Sequence, residues 1–189
     1  MNTALLVIDV QQGLCEGDDE AFAAAETIAR INTLSQRARA AGAPVILVQH
    51  ESTHGYLVHG TPGWQLAHGL QTAPTDLRLR KTAADAFHRT ELEATLQRLG
   101  VAQVAICGMH TEFCIDTTTR RALALGFPVL LAADAHTTRA NGVLDAEQIV
   151  RHHNATLTNI HSFGPRVRAL AAADIRFDDA ARAPLSRVR

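Results

Sequence analysis

The stretch Gly108-Met109-His110-Thr111-Glu112-Phe113-Cys114-Ile115-Asp116 joins an apolar run at 101–107 to a segment with helical patterning. The run reads as a buried strand, so Cys114 is delivered to the first turn of a helix at the strand's end. Unpaired backbone N–H groups at that place favour negative charge, and a stabilised thiolate is expected. The chemistry open to such a side chain is nucleophilic attack on an electrophilic carbon. A second candidate is Asp9, which closes the apolar run Leu5-Leu6-Val7-Ile8. A carboxylate at the end of a buried strand is costly unless paired, although a plain turn carboxylate also fits. Cys107 lies inside an apolar strand and reads as core. Cys15 lies in a Gly-flanked loop, and Lys81, taken alone, reads as a surface lysine.

The elements that must position these residues follow from hydropathy. Four near-continuous apolar runs, 4–8, 44–49, 101–107 and 128–133, read as strands buried on both faces. Helical patterns lie between and after them at 20–41, 90–99, 111–125 and 145–156, the first three closed by Gly42, Gly100 and Gly126. A fifth, short helical pattern falls at 165–173, with an edge strand or tail after it. The alternation predicts a three-layer α/β/α sandwich with a mainly parallel central sheet of the Rossmann-like kind. Ligands of such sheets bind beyond the carboxyl ends of the strands. Asp9, Gln49-His50, Met109 to Cys114 and Asp134-Ala135-His136 all meet that condition. The stretch 50–79 lacks periodicity, so it is expected to be functional or to hold structure that the pattern hides.

With 189 residues and no composition break, one domain over 1–189 is expected. The chain is 47% apolar and 20% charged with a net charge of −1, which argues against a nucleic-acid or membrane-surface role. No apolar run approaches membrane-spanning length and the first residues lack a basic leader, so a cytoplasmic location is expected. Three widely spaced cysteines suggest no disulfide framework. The tail after Asp178 reads as polar and partly disordered.

Three segments resemble the isochorismatase-like superfamily of cysteine hydrolases, the group with nicotinamidases and N-carbamoylsarcosine amidohydrolase. They are Ala4-Leu5-Leu6-Val7-Ile8-Asp9-Val10-Gln11, Arg80-Lys81-Thr82-Ala83-Ala84-Asp85-Ala86-Phe87, and Gly108 to Cys114 with Thr118 and Arg120. Gly60-Thr61-Pro62-Gly63-Trp64 resembles a loop common in the superfamily. The resemblance implies a triad of Asp9, Lys81 and Cys114. Cys114 would attack an amide or related carbonyl, Asp9 would move the proton, and Lys81 would hold Asp9 and lower the thiol pKa. It also implies a cis Met109–His110 peptide that aims the His110 and Cys114 backbone N–H groups at one point as an oxyanion hole.

Two departures from the superfamily's members matter. Nicotinamidases carry a metal site with an Asp-x-His order after the second strand, whereas this chain reads Gln49-His50-Glu51-Ser52-Thr53-His54 there. No metal and no cofactor are therefore expected. Isochorismatases proper lack the nucleophilic cysteine, which argues against vinyl-ether cleavage here. Gln11 is expected to orient Asp9 or the water, and Leu14, His50, Trp64, Met109 and His136 are candidates for the substrate pocket. The reading is cysteine-dependent hydrolysis of a small-molecule amide or related C–N bond through a thioester. An ester, lactam or cyclic-amide hydrolase with the same triad, a redox sensor using Cys114 and a non-catalytic binding protein remain open beside it. A homo-oligomer, dimer or tetramer, is what the superfamily suggests.

Overall fold

The computed structural model describes residues 1–17 and 20–177, so the polar tail after Asp178 lies outside the described residues. The strands are β1 (Thr3–Ile8), β2 (Val45–His50), β3 (Leu77–Lys81), β4 (Gln103–Met109), β5 (Val129–Thr137) and β6 (Val167–Leu170). The α-helices are α1 (Gln12–Cys15), α2 (Ala24–Ala40), α3 (Leu92–Arg98), α4 (Asp116–Ala124) and α5 (Ala146–Thr158). The six strands form one sheet in the order β3-β2-β1-β4-β5-β6, and every pairing is parallel. The expected doubly covered parallel sheet is thus present, with two strands more than the apolar runs revealed.

Alternation along each strand divides the core in two. Leu5, Val7, Val45, Leu47, Ala105, Cys107 and Leu130 face one side with α2 residues such as Ile28, Ile31 and Leu34. Leu6, Ile8, Ile46, Val48, Ile106 and Leu131 face the other with Leu96 of α3, Ala122 and Leu123 of α4 and Leu157 of α5. A strand buried on both faces needs no polar alternation, which is why β1, β2 and β4 read as solid apolar runs. Helix α5 starts where its sequence says it should. Asp145 caps it by accepting from the Gln148 N–H at 2.7 Å, and the Gln148 side chain accepts from the Asp145 N–H at 3.1 Å.

The structure hidden in 50–79 is visible, and two other expectations are corrected. The stretch 50–79 ends in β3, whose Leu-Arg alternation belongs to an edge strand partly open to solvent. The fifth helix at 165–173 is instead the edge strand β6 followed by a 3-10 turn, Ala172–Asp174. Four residues paired to β5 with Val167 turned into the core are too few for a helical period to be told from a strand's. Strand β5 also runs on to Thr137 through a register shift, pairing Ile106 with Leu131 and then Gly108 with His136.

Candidate active site

Asp9 is the first residue beyond β1. Its amide donates to the Val48 carbonyl at 2.8 Å and its carbonyl accepts from the Gln11 N–H at 2.9 Å, a tight three-residue turn with Asp9 at φ 53°. An aspartate tolerates this left-handed conformation at modest cost, and the turn swings its carboxylate from the strand's pleat to the space above β4. Gly108, at φ 120°, lets β4 approach there, because a Cβ at that position would collide with the Ile8 carbonyl oxygen. The Met109–His110 peptide that follows is cis.

Cys114 does not sit in an ordinary first helical turn. Thr111–Ile115 form a π-helical turn in which the Ile115 N–H reaches the His110 carbonyl at 3.2 Å, and α4 continues from it. Such widened turns often mark functional sites, because the extra residue redirects side chains. Lys81 ends β3, whose last register position pairs it with His50 of β2. Its side chain turns inward and only 2% of the residue is exposed. The loop after it is strapped to α4 by Thr118, whose buried hydroxyl accepts from the Ala86 N–H at 3.1 Å and donates to the Ala84 carbonyl at 3.3 Å.

The three residues meet at the carboxyl ends of β1, β3 and β4. The Lys81 ammonium lies 2.7 Å from Asp9 Oδ2, 3.2 Å from Cys114 Sγ, 3.0 Å from the Ala83 carbonyl and 3.3 Å from His50 Nδ1. Asp9 is fully buried, and among the described residues the Lys81 ammonium is the charged partner of its carboxylate. Burial pulls the Lys81 pKa down, but Asp9 and Cys114 more than offset it, and the ammonium is held above its ordinary value. Burial pushes the Cys114 thiol up, Asp9 adds to the rise, and Lys81 opposes it; the result is about 12. The expectation of a thiolate stabilised at rest is therefore corrected. The cysteine rests as a neutral thiol beside a carboxylate, because desolvation disfavours its charge more than the ammonium favours it.

The residues expected to line the pocket divide. His50 is half-buried, and burial with the nearby Lys81 holds its pKa below the ordinary value. It lines a cavity of about 360 Å³ with Glu51, Ser52, Val58, His59 and Thr82, beside the cluster. Trp64 is half-buried, with His59, which lines that cavity, edge-on to its ring at a centroid distance of 4.5 Å. Gln11 does not reach the Asp9 carboxylate. Its amide donates to the carbonyls of His50 (3.0 Å) and Trp64 (2.8 Å) and accepts from the His50 N–H (2.9 Å), tying β2 and the 60–64 loop to β1. Leu14 and Met109 are core rather than pocket, because apolar side chains this buried have left the solvent-facing ends of the strands. The Met109 sulfur instead receives the Cys15 thiol at 3.1 Å. His136 is also not a pocket residue. The extension of β5 buries it, its Nδ1 lies 2.9 Å from Thr111 Oγ1 and its Nε2 lies 3.0 Å from Asn154 Oδ1, and burial pushes its pKa down to about 4.

The histidine-rich segment after β2 is a poor metal site. Glu51 is gripped by Arg80 at 2.6 and 3.1 Å, the His54 ring is turned to Thr53, and His59 packs edge-on against Trp64. Among the described residues, the one three-donor cluster is Asp9, His50 and Cys114. The Lys81 ammonium already lies within 3.3 Å of a donor atom of each. It occupies the cation's place.

Sequence reasoning missed Thr118 as a strap and His136 as a strut. A hydroxyl and an imidazole that close hydrogen bonds across 32 and 25 residues leave no local pattern to find.

A parallel α/β sheet with a buried aspartate and lysine and a partly buried cysteine gathered at its carboxyl ends defines the class of this protein. Residues 3–167 match the isochorismatase domain, and the chain belongs to that family. It is 40% identical over 136 residues to the streptothricin hydrolase of Streptomyces noursei, covering 71% of this chain and 49% of that protein. The chain thus spans about half the length of that relative. It is 30% identical over 177 residues to nicotinamidase 3 of Arabidopsis thaliana, covering 85% of this chain and 81% of that enzyme. A crystal structure of an isochorismatase family protein superposes with a TM-score of 0.82 at 38% identity, covering 90% of this chain and 98% of the other.

Proposed function

We propose that this chain is one hydrolase domain that cleaves a small-molecule amide or related C–N bond through a thioester on Cys114, with no metal or cofactor. The observation that carries the reading is the buried Lys81 ammonium placed between Asp9 (2.7 Å) and Cys114 Sγ (3.2 Å). A buried lysine is costly unless it is used, and this one bridges a potential base and a potential nucleophile.

The thiol is neutral at rest, so attack and proton loss are coupled. Cys114 Sγ bonds to the substrate carbonyl carbon as its proton passes to Asp9. Lys81 stabilises both the carboxylate before transfer and the sulfur's developing charge during it. The carbonyl oxygen takes the electron pair, held by the His110 and Cys114 backbone N–H groups, a contribution of ~3 kcal/mol per donor. The C–N bond breaks as Asp9 protonates the leaving nitrogen. Water then attacks the thioester, gives its proton to Asp9, and the C–S bond breaks with that proton returning to sulfur. The net change is addition of one water across the C–N bond. The cavity beside His50 has polar walls and would receive the substrate's remaining groups.

The test is ammonia or amine release across a panel of small amides, ureides, lactams and esters, with the folded Cys114→Ala protein as control. Turnover of a C–N substrate that disappears in the control supports the reading. Turnover only of esters assigns the same triad to the other leaving group, and turnover that survives Cys114→Ala removes the cysteine from the chemistry.

A further inference from the structure

The register shift in β5 brings His136 opposite Gly108 and Thr137 opposite Met109, directly before the turn that carries Cys114. The His136 ring is buried there and meets residues of two other elements. Thr111, fully buried in the π-helical turn, has its hydroxyl 2.9 Å from Nδ1. Asn154 of α5 has its Oδ1 3.0 Å from Nε2, and its Nδ2 donates to the Ala133 carbonyl at 2.9 Å. A buried imidazole is costlier than an apolar filler unless its nitrogens are used, and here both are. The hydrolysis steps above leave Thr111, His136 and Asn154 without a part.

The protons of this chain of hydrogen bonds have one arrangement. A carbonyl only accepts, so the Asn154 amino group faces Ala133 and the Asn154 oxygen faces the ring. His136 Nε2 therefore donates. Burial pushes the ring's pKa down to about 4, so near pH 7 the imidazole is neutral and carries a single proton. Nδ1 is left as an acceptor, and the Thr111 hydroxyl donates to it. A backbone carbonyl in the irregular part of β5 thus sets the direction of a hydroxyl in the catalytic turn. Thr111 stands between His110 and Cys114, the two residues assigned above as donors to the carbonyl oxygen. A side chain buried and tethered at its hydroxyl holds its own backbone, and with it the peptides on either side.

We propose that His136 and Asn154 are positioning residues, acting through the Thr111 hydroxyl to hold the 110–114 turn and its two backbone donors in place before substrate arrives. The effect on rate rests on the hydrolase reading; the effect on the turn does not. Donors aimed in advance stabilise developing charge without rearranging as the reaction proceeds. A loosened turn costs transition-state binding, so kcat falls while KM changes little.

Four variants of the full chain separate positioning from stability. His136→Asn keeps an acceptor where Nδ1 stood and loses the donor to Asn154, whereas His136→Gln keeps that donor and loses the acceptor for Thr111. Thr111→Ser keeps the hydroxyl and Thr111→Val removes it. Hydrogen–deuterium exchange resolved to residues 110–115 reads the turn without substrate, and steady-state kinetics on the best substrate of the panel read the rate. Exchange is expected to be about tenfold faster or more in His136→Gln and Thr111→Val, and close to wild type in His136→Asn and Thr111→Ser. In the first pair kcat should fall by about tenfold or more with KM within about twofold of wild type. The double variant His136→Gln/Thr111→Val should lose no more than either single one, because both break one link. Thermal melts accompany each variant. Exchange and kcat that simply follow melting temperature across all four variants, or losses that add in the double variant, would overturn the positioning role. If no substrate of the panel is turned over, the hydrolase reading fails, and the exchange pattern alone decides whether His136 holds the turn.

Discussion

Lys81 and Arg80 are neighbours in the chain and opposite in physics. Lys81 is 2% exposed and has its ammonium within 3.3 Å of four acceptors at the carboxyl ends of the strands. The Arg80 side chain is 54% exposed and pairs with Glu51 at the surface. One residue of shift along an edge strand moves a cation from solvent to core, because side chains alternate across the sheet. The central strands teach the converse lesson. In β1 and β4 both faces are buried, so alternation chooses between two helical layers and never between water and core. A catalytic cation is thus supplied by the edge of the sheet, and the nucleophile and carboxylate by its middle.

The largest effect that could break this contrast is on rate. With the best substrate of the panel, Lys81→Met is expected to lower turnover by about two orders of magnitude or more, the usual scale for losing a charged partner of a proton transfer. Lys81→Arg should rescue poorly, since a planar fork does not fit a compact ammonium site. Steady-state kinetics on Lys81 and Arg80 variants side by side make the comparison. Turnover near wild type in folded Lys81→Met would place Lys81 with Arg80.

Stability should divide in the same way. Removing one partner of a buried ion pair typically costs about 3–5 kcal/mol, because the other charge is left unmatched. Lys81→Met should therefore unfold at clearly lower urea than wild type. Arg80→Met removes an exposed pair and should leave the urea midpoint close to that of wild type. Equal midpoints for the two variants would remove the distinction.

A third expected effect concerns the middle of the sheet. His136 is buried, with its pKa pushed down to about 4 from an unfolded value near 6.5. Its native form is neutral, so the unfolded chain binds the extra proton as pH falls. The contribution is fully present above about pH 6.5 and is lost as pH drops toward 4, with a total of about 3 kcal/mol. Urea melts of wild type and His136→Gln at pH 7.5 and pH 5 isolate it: the variant should show a shallower acid loss. Parallel losses in both proteins would show that His136 titrates freely.

The smallest effect is one of order among thiols. Cys15 is pushed up to about 12 and Cys107 is raised further, both buried, whereas Cys114 is only partly buried. Substoichiometric iodoacetamide should label Cys114 first. With its thiol also near 12, the labelling rate should rise about tenfold per unit from pH 7 to 9 without a plateau. A plateau below pH 8 would show a resting thiolate, and first labelling of Cys15 would move the nucleophile.

Asp9 and Cys114 were legible before any tertiary structure. Asp9 closes an apolar run and Cys114 opens the helical segment that follows another, and such residues beyond doubly buried strands stand out in the pattern. The parallel sheet was legible for the same reason, since buried strands must be apolar throughout and their helices must separate them. Lys81 was not, because the Leu-Arg alternation of β3 matches a solvated surface as well as an edge strand. Only its resemblance to known sequences marked it.

The resting state of the cysteine was decided by the tertiary structure alone. Helix position argued for a thiolate, but the π-helical turn and the surrounding core desolvate the sulfur, and desolvation outweighs the neighbouring ammonium. His136 and Met109 lay where a pocket was expected and became core, because β5 continues past its apolar run and β4 ends beneath α2. Periodicity along a chain reports which face of an element is dry. It cannot report which elements meet above the strand ends, because those meetings are contacts between residues far apart in sequence, and they alone determine whether a histidine is a ligand contact or a strut.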